Sequence, residues 1–119
     1  MRTLMLKLEP VIWGLFGAGM MVGVLLYPAW LLVGTLAVPL GFAPADALTF
    51  ERAHALAASL PGRALLAAAV ALPIWAGAHH LRHIAIDFGG IGRDALVGGL
   101  MYAIALAASV LAVMAVIRL

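Results

Sequence analysis

Three of the four histidines in this 119-residue chain lie within five positions of one another: His79, His80 and His83. If this segment is a helix, His79, Arg82 and His83 share one face, because they are spaced i, i+3 and i+4. Asp87 follows His83 by four residues and is placed to neutralise this cluster. Imidazole and guanidinium groups both donate hydrogen bonds; the guanidinium stays charged, whereas imidazole can exchange protons near neutral pH.

The histidine cluster stands at the end of a long apolar run that begins at Ala64. Titratable groups at the mouth of a membrane helix cost free energy, so they mark a functional site by default. The alternative is that the basic residues only anchor the helix end among lipid head groups.

A second group, Trp13, Phe16 and Gly17, lies at helical spacing in an earlier apolar stretch. An aromatic pair beside a glycine leaves a notch that could admit a flat ring, although the same residues could form a packing groove with an interfacial tryptophan. Trp13 near the start of one span and His79 near the end of the next would stand at the same membrane face. Indole and imidazole N–H groups suit the two carbonyl oxygens of a quinone head group, and imidazole suits its proton exchange.

The composition places the chain in a membrane. Hydrophobic residues make up 66% of it and charged residues 10%, whereas soluble domains carry roughly 25% charged residues. A soluble fold of this size could not hide so much apolar surface. The formal charge is only +2 and the basic residues are dispersed, so nucleic-acid binding is not indicated. The absence of cysteine excludes disulfides, thiolate zinc sites and iron–sulfur ligation within this chain.

The pattern predicts one domain over residues 1–119, an all-α membrane protein with three transmembrane helices and a short interfacial helix between the first and second. The predicted spans cover residues 11–38, 62–87 and 93–117, and the interfacial helix covers residues 46–60. Residues 1–9 are predicted to form a short arm before Pro10, which suits the first turn of a helix. Gly19 and Gly23 form a small-xxx-small pair that would let another helix approach closely.

Charge predicts the orientation of the three spans. The basic residues on the N-terminal side are Arg2, Lys7, Arg82 and Arg93, and those on the other side are Arg52, Arg63 and Arg118. Because the side with more Lys and Arg tends to face the cytoplasm, the N-terminus is expected there.

Other chemistry for the cluster stays open. The spacing of His79 and His83 is also that of metal ligands, with Asp87 as the single third candidate. A haem would need a second axial ligand from a partner, since the candidates here lie on one helix. No nucleophile–base pair or carboxylate pair stands in a plausible pocket, so no catalytic residue is predicted in this chain.

Three blocks of the sequence resemble the D-subunit family of bacterial quinol:fumarate reductases in order and spacing. They are EPVIWGLFGAG at 9–19, GFAPADALTFER at 41–52 and PIWAGAH at 73–79. The resemblance extends from Glu9 to Asp87, and the last helix matches only as an apolar span. It implies a bacterial inner-membrane complex in which a flavoprotein subunit (A) with FAD reduces fumarate. An iron–sulfur subunit (B) carries the electrons, and the C and D anchor subunits hold both and bind menaquinol on the cytoplasmic side.

The resemblance also implies roles for residues. Trp13 matches a tryptophan near the quinone ring, Phe16 and Gly17 fall in the same block, and His79 matches the histidine after the W-x-G segment. In the best-studied type Arg-Met-His-His follows that histidine, whereas here the arginine stands two positions later, as Arg82. That type also lacks haem, so haem is not expected.

The sequence therefore predicts a membrane-anchor subunit of a fumarate reductase that contributes to a menaquinol site. The predicted quinone-binding residues are Trp13, Phe16, Gly17, His79, His80, Arg82 and His83. The alternatives are a purely structural anchor with the quinone site in the partner, a haem-b-carrying anchor of a succinate:quinone oxidoreductase, and a small channel or transporter.

Overall fold

The computed structural model describes residues 2–119 of the chain, and no strand occurs among them. The helices are α1 (Arg2–Leu32), α2 (Phe50–Ala58), α3 (Leu60–Gly89) and α4 (Asp94–Ile117). Helix α1 continues as a π-helical segment, Val33–Ala37, and a 3₁₀ turn, Ile91–Arg93, precedes α4. Met1, the first residue of the predicted arm, lies outside the described residues.

Three helical segments are long and apolar enough to cross a membrane: Leu6–Ala37, Leu60–Gly89 and Ile91–Ile117. At 1.5 Å per residue they measure about 40–48 Å, which exceeds the ~30 Å hydrocarbon core of a bilayer. Their ends therefore extend into the interfacial regions. The predicted all-α class, with three spans and a short helix between the first two, is confirmed, and the chain is a multi-pass membrane protein.

The helix boundaries differ most from the predicted ones at the starts of α1 and α2. Helix α1 begins at Arg2, because the good helix formers before Pro10 favour an earlier start. Pro10 therefore lies inside the helix instead of in its first turn. Helix α2 begins at Phe50 because Thr49 before it is extended and residues 45–48 form turns. Ser59 is extended too, with ψ 154°, and separates α2 from α3.

Helix α3 is the central element. It packs against both α1 and α4, which contact each other little, so the molecule is a shallow layer of 55 × 29 × 19 Å. Helix α1 approaches α3 closely at Gly19, where an added Cβ would collide with the Leu72 carbonyl and lie 3.1 Å from the Ala76 Cβ. Gly23, the predicted second member of the pair, has open space around it. The close contact therefore depends on Gly19.

The alternating helices give the layer two distinct ends. The start of α1, the end of α3 and the start of α4 meet at one of them, here called the histidine end. Gly90, with a φ of +76°, terminates α3 there, a left-handed conformation that glycine adopts without strain. At the opposite end Arg63 Nη1 donates a hydrogen bond to the Ile117 carbonyl, at 3.4 Å, and so joins α3 to the end of α4.

Candidate functional site

Five of the predicted residues come together at the histidine end as a cluster of rings, here called the aromatic cluster: Trp13, Phe16, His79, His80 and His83. The His79 ring lies at the centre, with its centroid 5.0 Å from that of Trp13, 4.6 Å from Phe16 and 4.5 Å from His83. The His80 ring contacts Phe16 at 5.2 Å. Residues one helical turn apart on α1 thus face residues one turn apart on α3, as helical spacing dictates.

Exposure divides the aromatic cluster into an inner and an outer part. His79 exposes only 4% of its surface, whereas Trp13 exposes 53%. His80 and His83 are exposed, and Phe16 is half-buried. A ligand that approaches this wall therefore meets Trp13 and the two outer histidines before it meets His79.

His79 is tied to α4 through Tyr102. Its Nδ1 lies 2.9 Å from the Tyr102 hydroxyl, and Arg82 Nη1 donates to the same oxygen at 3.2 Å. Tyr102 is itself buried, within a small core that includes Ile12 and Ala105. One phenol group thus joins the histidine and the arginine of the predicted site.

The carboxylate that neutralises Arg82 belongs to Asp94. Arg82 Nε donates to Asp94 Oδ1 at 2.6 Å, and Nη2 donates to Oδ2 at 2.7 Å. The prediction that Asp87 neutralises the cluster is wrong: it is exposed and forms no ion pair with any residue that the structure describes. The turn after α3 instead brings Asp94, the first residue of α4, beside Arg82.

Tyr102 and Asp94 were missed because the third span resembles the family only as an apolar stretch. A signal was nevertheless present. Asp94 begins that span and Tyr102 is its one tyrosine, eight positions later. Two helical turns separate them, so they share a face of α4.

A cavity of about 530 Å³ opens at the histidine end beside the aromatic cluster. Its lining includes Glu9 and Ile12 of α1, Arg82 of α3 and Asp94 of α4. Among the seven predicted quinone-binding residues, Arg82 alone lines it. The other six therefore form an open wall, which a partner surface must complete if it is to enclose a ligand.

The wall has the chemistry that a quinone head group needs. His79 pairs through Nδ1, and within the part of the chain that the structure describes neither its Nε2 nor Trp13 Nε1 makes a hydrogen bond, so two nitrogen positions can meet carbonyl oxygens. A Cβ added at Gly17 would meet nothing within 4 Å, which leaves room for a ring beside Trp13. The residues present therefore fit a flat ring that carries hydrogen-bond acceptors.

Metal binding gains no support from the same region. Across residues 2–119, no group of three or more His, Asp or Glu side chains is placed to hold a metal ion. The fourth histidine, His54, lies on α2, where it is exposed and its ring is 5.6 Å from that of Phe50.

A sequence model of the fumarate reductase D-subunit matches residues 5–117 of the chain. The chain belongs to the fumarate reductase D-subunit family. It is 44% identical over 75 residues to the fumarate reductase D-subunit of Photobacterium profundum, an alignment that covers 63% of this chain and 62% of that one. The corresponding protein of Vibrio parahaemolyticus is 41% identical over 75 residues, which cover 63% of this chain and 60% of that one.

A longer alignment relates the chain to the fumarate reductase D-subunit of Vibrio vulnificus, at 36% identity over 103 residues and 82% of each chain. The chain spans about three fifths of the length of the first two relatives. The resemblance deduced from three sequence blocks is therefore confirmed at the level of the family. Within this member of the D-subunit family, the histidine end gathers most of the predicted residues on one wall.

Proposed function

We propose that this chain is a membrane-anchor subunit of a fumarate reductase complex and that its histidine end supplies one wall of a menaquinol site. Three features support the proposal: membership of the D-subunit family, three segments that can span a bilayer, and a polar cluster at one end of the layer. The chain has no cysteine, so the iron–sulfur clusters would belong to a partner.

The partners in this proposal are a second anchor subunit (C), an iron–sulfur subunit (B) and a flavoprotein subunit (A) with FAD. Bound menaquinol supplies two electrons and two protons, and fumarate takes up two of each at the flavoprotein to become succinate. This chain's residues would hold the head group and receive its protons. No bond-making step of fumarate reduction is assigned to them.

The roles follow the division of the aromatic cluster. Trp13 donates its indole N–H to an oxygen of the head group. His79 also hydrogen-bonds the head group, from a deeper position behind the outer residues. Phe16 and Gly17 form the apolar surface against which the ring lies. The exposed imidazoles of His80 and His83 take up and release protons, since a ring nitrogen of neutral imidazole can accept a proton and the imidazolium can donate it again.

Arg82 contributes less positive charge to the proposed site than the sequence predicted, because Asp94 pairs with it. Both of its contacts with Asp94 are charge-assisted, so the pair is close to neutral from a distance. In the proposed site Arg82 acts mainly through the groups that it holds in place.

We place the complex in the bacterial inner membrane with the histidine end on the cytoplasmic side. The support is the slight excess of Lys and Arg on that side of the chain. A cytoplasmic position would also put the aromatic cluster beside an iron–sulfur subunit that docks on the same face.

The observation that carries the proposal is the contact of the Trp13 and His79 rings, 5.0 Å apart, on two helices at one end of the layer. Residues 66 positions apart in sequence thus place an indole and an imidazole side by side at one end of the layer.

The test uses the assembled complex with Trp13→Leu or His79→Ala. We expect menaquinol-driven fumarate reduction to fall about tenfold or more, because each change removes a group that meets the head group. Fumarate reduction by a water-soluble donor that bypasses the quinone should remain, and the four subunits should still co-purify. His54→Ala, which removes an exposed histidine from α2, is the control and should leave both activities unchanged. Normal menaquinol turnover in both site variants would reject the proposed site.

A second candidate is a purely structural anchor whose partner subunit holds the whole quinone site. The 4% exposure of His79 and the open shape of the wall favour it. A quinone photo-crosslinker applied to the complex distinguishes the two, because labelling of residues 13–17 supports the shared site and labelling confined to the partner supports the structural anchor.

A further inference from the structure

We infer that Tyr102 is a positioning residue that fixes the tautomer of His79, and that the Arg82–Asp94 ion pair holds Tyr102 in turn. The inference rests on the proposed function for its kinetic consequence but not for its structural content. It adds two residues of α4 to a site otherwise built from α1 and α3.

The first step is the position of the Tyr102 hydroxyl. Its oxygen lies 2.9 Å from His79 Nδ1 and 3.2 Å from Arg82 Nη1. No third partner for the hydroxyl exists among the described residues. Because Tyr102 is buried, its proton and lone pairs depend on these two neighbours.

The second step accounts for the protons. A guanidinium can only donate, so the Tyr102 oxygen accepts from Arg82. The phenol proton then has one acceptor within reach, His79 Nδ1. A neutral histidine that accepts at Nδ1 carries its own hydrogen on Nε2. The arrangement of charges and donors therefore selects the Nε2–H form of His79.

The third step is the rigidity of Arg82. Its two bonds to Asp94 fix the plane of the guanidinium, since a two-point contact restricts rotation as a single bond does not. The fixed plane also fixes the direction in which Arg82 Nη1 donates its third hydrogen bond, to the Tyr102 hydroxyl. A chain of four side chains thus runs from a carboxylate at the start of α4 to the centre of the aromatic cluster.

The consequence is a division of labour among the histidines. With hydrogen on Nε2, His79 offers a donor, as Trp13 does. It therefore recognises an acceptor oxygen rather than removing a proton from a hydroxyl. Uptake of protons falls to the exposed His80 and His83. The site would thus hold the head group with two fixed donors and pass protons through separate, solvated groups.

The test is Tyr102→Phe, which removes the hydroxyl and keeps the ring. Histidine labelled with ¹³C and ¹⁵N in the assembled complex, embedded in bilayers, reports each tautomer by solid-state NMR, and His79→Ala identifies the His79 signals. We expect Nε2–H for His79 in the unchanged protein and loss of that single form in Tyr102→Phe. The KM for menaquinol should rise about three- to tenfold, the ratio for one lost hydrogen bond, with kcat changed less than twofold.

Ser109→Ala is the matched control. It removes another half-buried hydrogen bond between α3 and α4, from Trp75 Nε1 to Ser109 Oγ at 3.1 Å, and it leaves the Tyr102 hydroxyl with both of its partners. We expect neither the tautomer nor the KM to change. If a merely structural loss between the helices altered the histidine signals, this variant would alter them too, and the inference would be overturned.

The outcomes separate the inference from the proposed function. An unchanged Nε2–H signal in Tyr102→Phe overturns the inference, and the proposed site survives if Trp13→Leu still lowers menaquinol turnover. A changed tautomer with an unchanged KM supports the inference and counts against His79 as part of a menaquinol site. A changed tautomer together with a raised KM supports both.

Discussion

The Arg82 guanidinium meets the Asp94 carboxylate through two parallel bonds, Nε to Oδ1 at 2.6 Å and Nη2 to Oδ2 at 2.7 Å. The residues are twelve positions apart, so the pair closes the turn between α3 and α4. Only 14% of the Arg82 side chain and 25% of the Asp94 side chain are exposed. Little water therefore screens the attraction between the two charges. The ion pair is also one of the few polar contacts that join α3 to α4.

Asp94→Asn should lower the free energy of unfolding by about 2 kcal/mol. This value lies between the ~1 kcal/mol of an exposed ion pair and the ~3–5 kcal/mol lost when one member of a fully buried pair is removed. The physical reason is that Arg82 keeps its charge without a carboxylate to balance it. The loss can be measured by titrating the purified protein in mild detergent micelles with a denaturing detergent.

The control for this prediction is the second ion pair of the described residues, Arg52 to Asp46 at 2.6 Å, whose side chains are 60% and 56% exposed. Asp46→Asn should cost less than about 0.5 kcal/mol, because solvent screens the pair. Equal losses in the two variants would contradict the argument that burial gives the Arg82–Asp94 pair its strength.

The sequence was sufficient to predict the residues that α1 and α3 bring together. Helical spacing places Trp13 and Phe16 on one face of α1 and His79 and His83 on one face of α3. Alternating spans then bring the start of the first helix to the end of the second. Both deductions use only local periodicity and the length of each apolar run, which the sequence records directly.

The sequence was not sufficient to predict the partners of Arg82. The choice between Asp87 and Asp94 depends on how the glycine turn after α3 directs the chain, and Gly90 sets that direction with a positive φ. The role of Tyr102 depends on the rotation of α4 about its own axis. A span so uniformly apolar carries no strong amphipathic stripe from which that rotation could be deduced.

Gly19→Ala should destabilise the packing of α1 against α3. An added methyl would collide with the Leu72 carbonyl, and since a backbone atom cannot move aside cheaply, the cost should be about 1–3 kcal/mol. Gly17→Ala, two positions away, is the matched variant, because its methyl would enter open space. It should leave the stability unchanged or raise it by up to about 1 kcal/mol, as Gly to Ala does within helices.

Gly17→Ala also tests the proposed menaquinol site. If the menaquinol ring lies against Gly17, Gly17→Ala should raise the KM for menaquinol while the complex assembles normally. Normal menaquinol kinetics in the Gly17→Ala complex would show that Gly17 does not contact the menaquinol ring. A Gly19→Ala protein as stable as the unchanged one would contradict the close approach seen between the helices.

Ser59→Ala should shorten or loosen the start of α3. The Ser59 hydroxyl accepts a hydrogen bond from the Gly62 amide at 3.1 Å and donates to the Leu56 carbonyl at 2.6 Å. Loss of such an N-cap costs about 1 kcal/mol. Amide hydrogen exchange across residues 60–64 should therefore become faster.

Thr49→Ala is the control for the cap. Thr49 occupies the equivalent position before α2 but makes no side-chain cap bond. Thr49→Ala should therefore speed amide hydrogen exchange at the start of α2 less than Ser59→Ala speeds it at the start of α3. An equal effect at both positions would show that the hydroxyl bonds of Ser59 contribute nothing.

The orientation of the three spans can be measured because the chain has no cysteine, so a single introduced thiol is unambiguous. Phe42 and Ile91 are both largely exposed, and they lie in connections at opposite ends of the layer. With the histidine end in the cytoplasm, a membrane-impermeant thiol reagent should label Phe42→Cys in spheroplasts. It should label Ile91→Cys only in inside-out vesicles stripped of peripheral subunits. The reverse pattern would put the aromatic cluster on the outer face, where an iron–sulfur subunit in the cytoplasm could not receive electrons from a quinol bound beside Trp13.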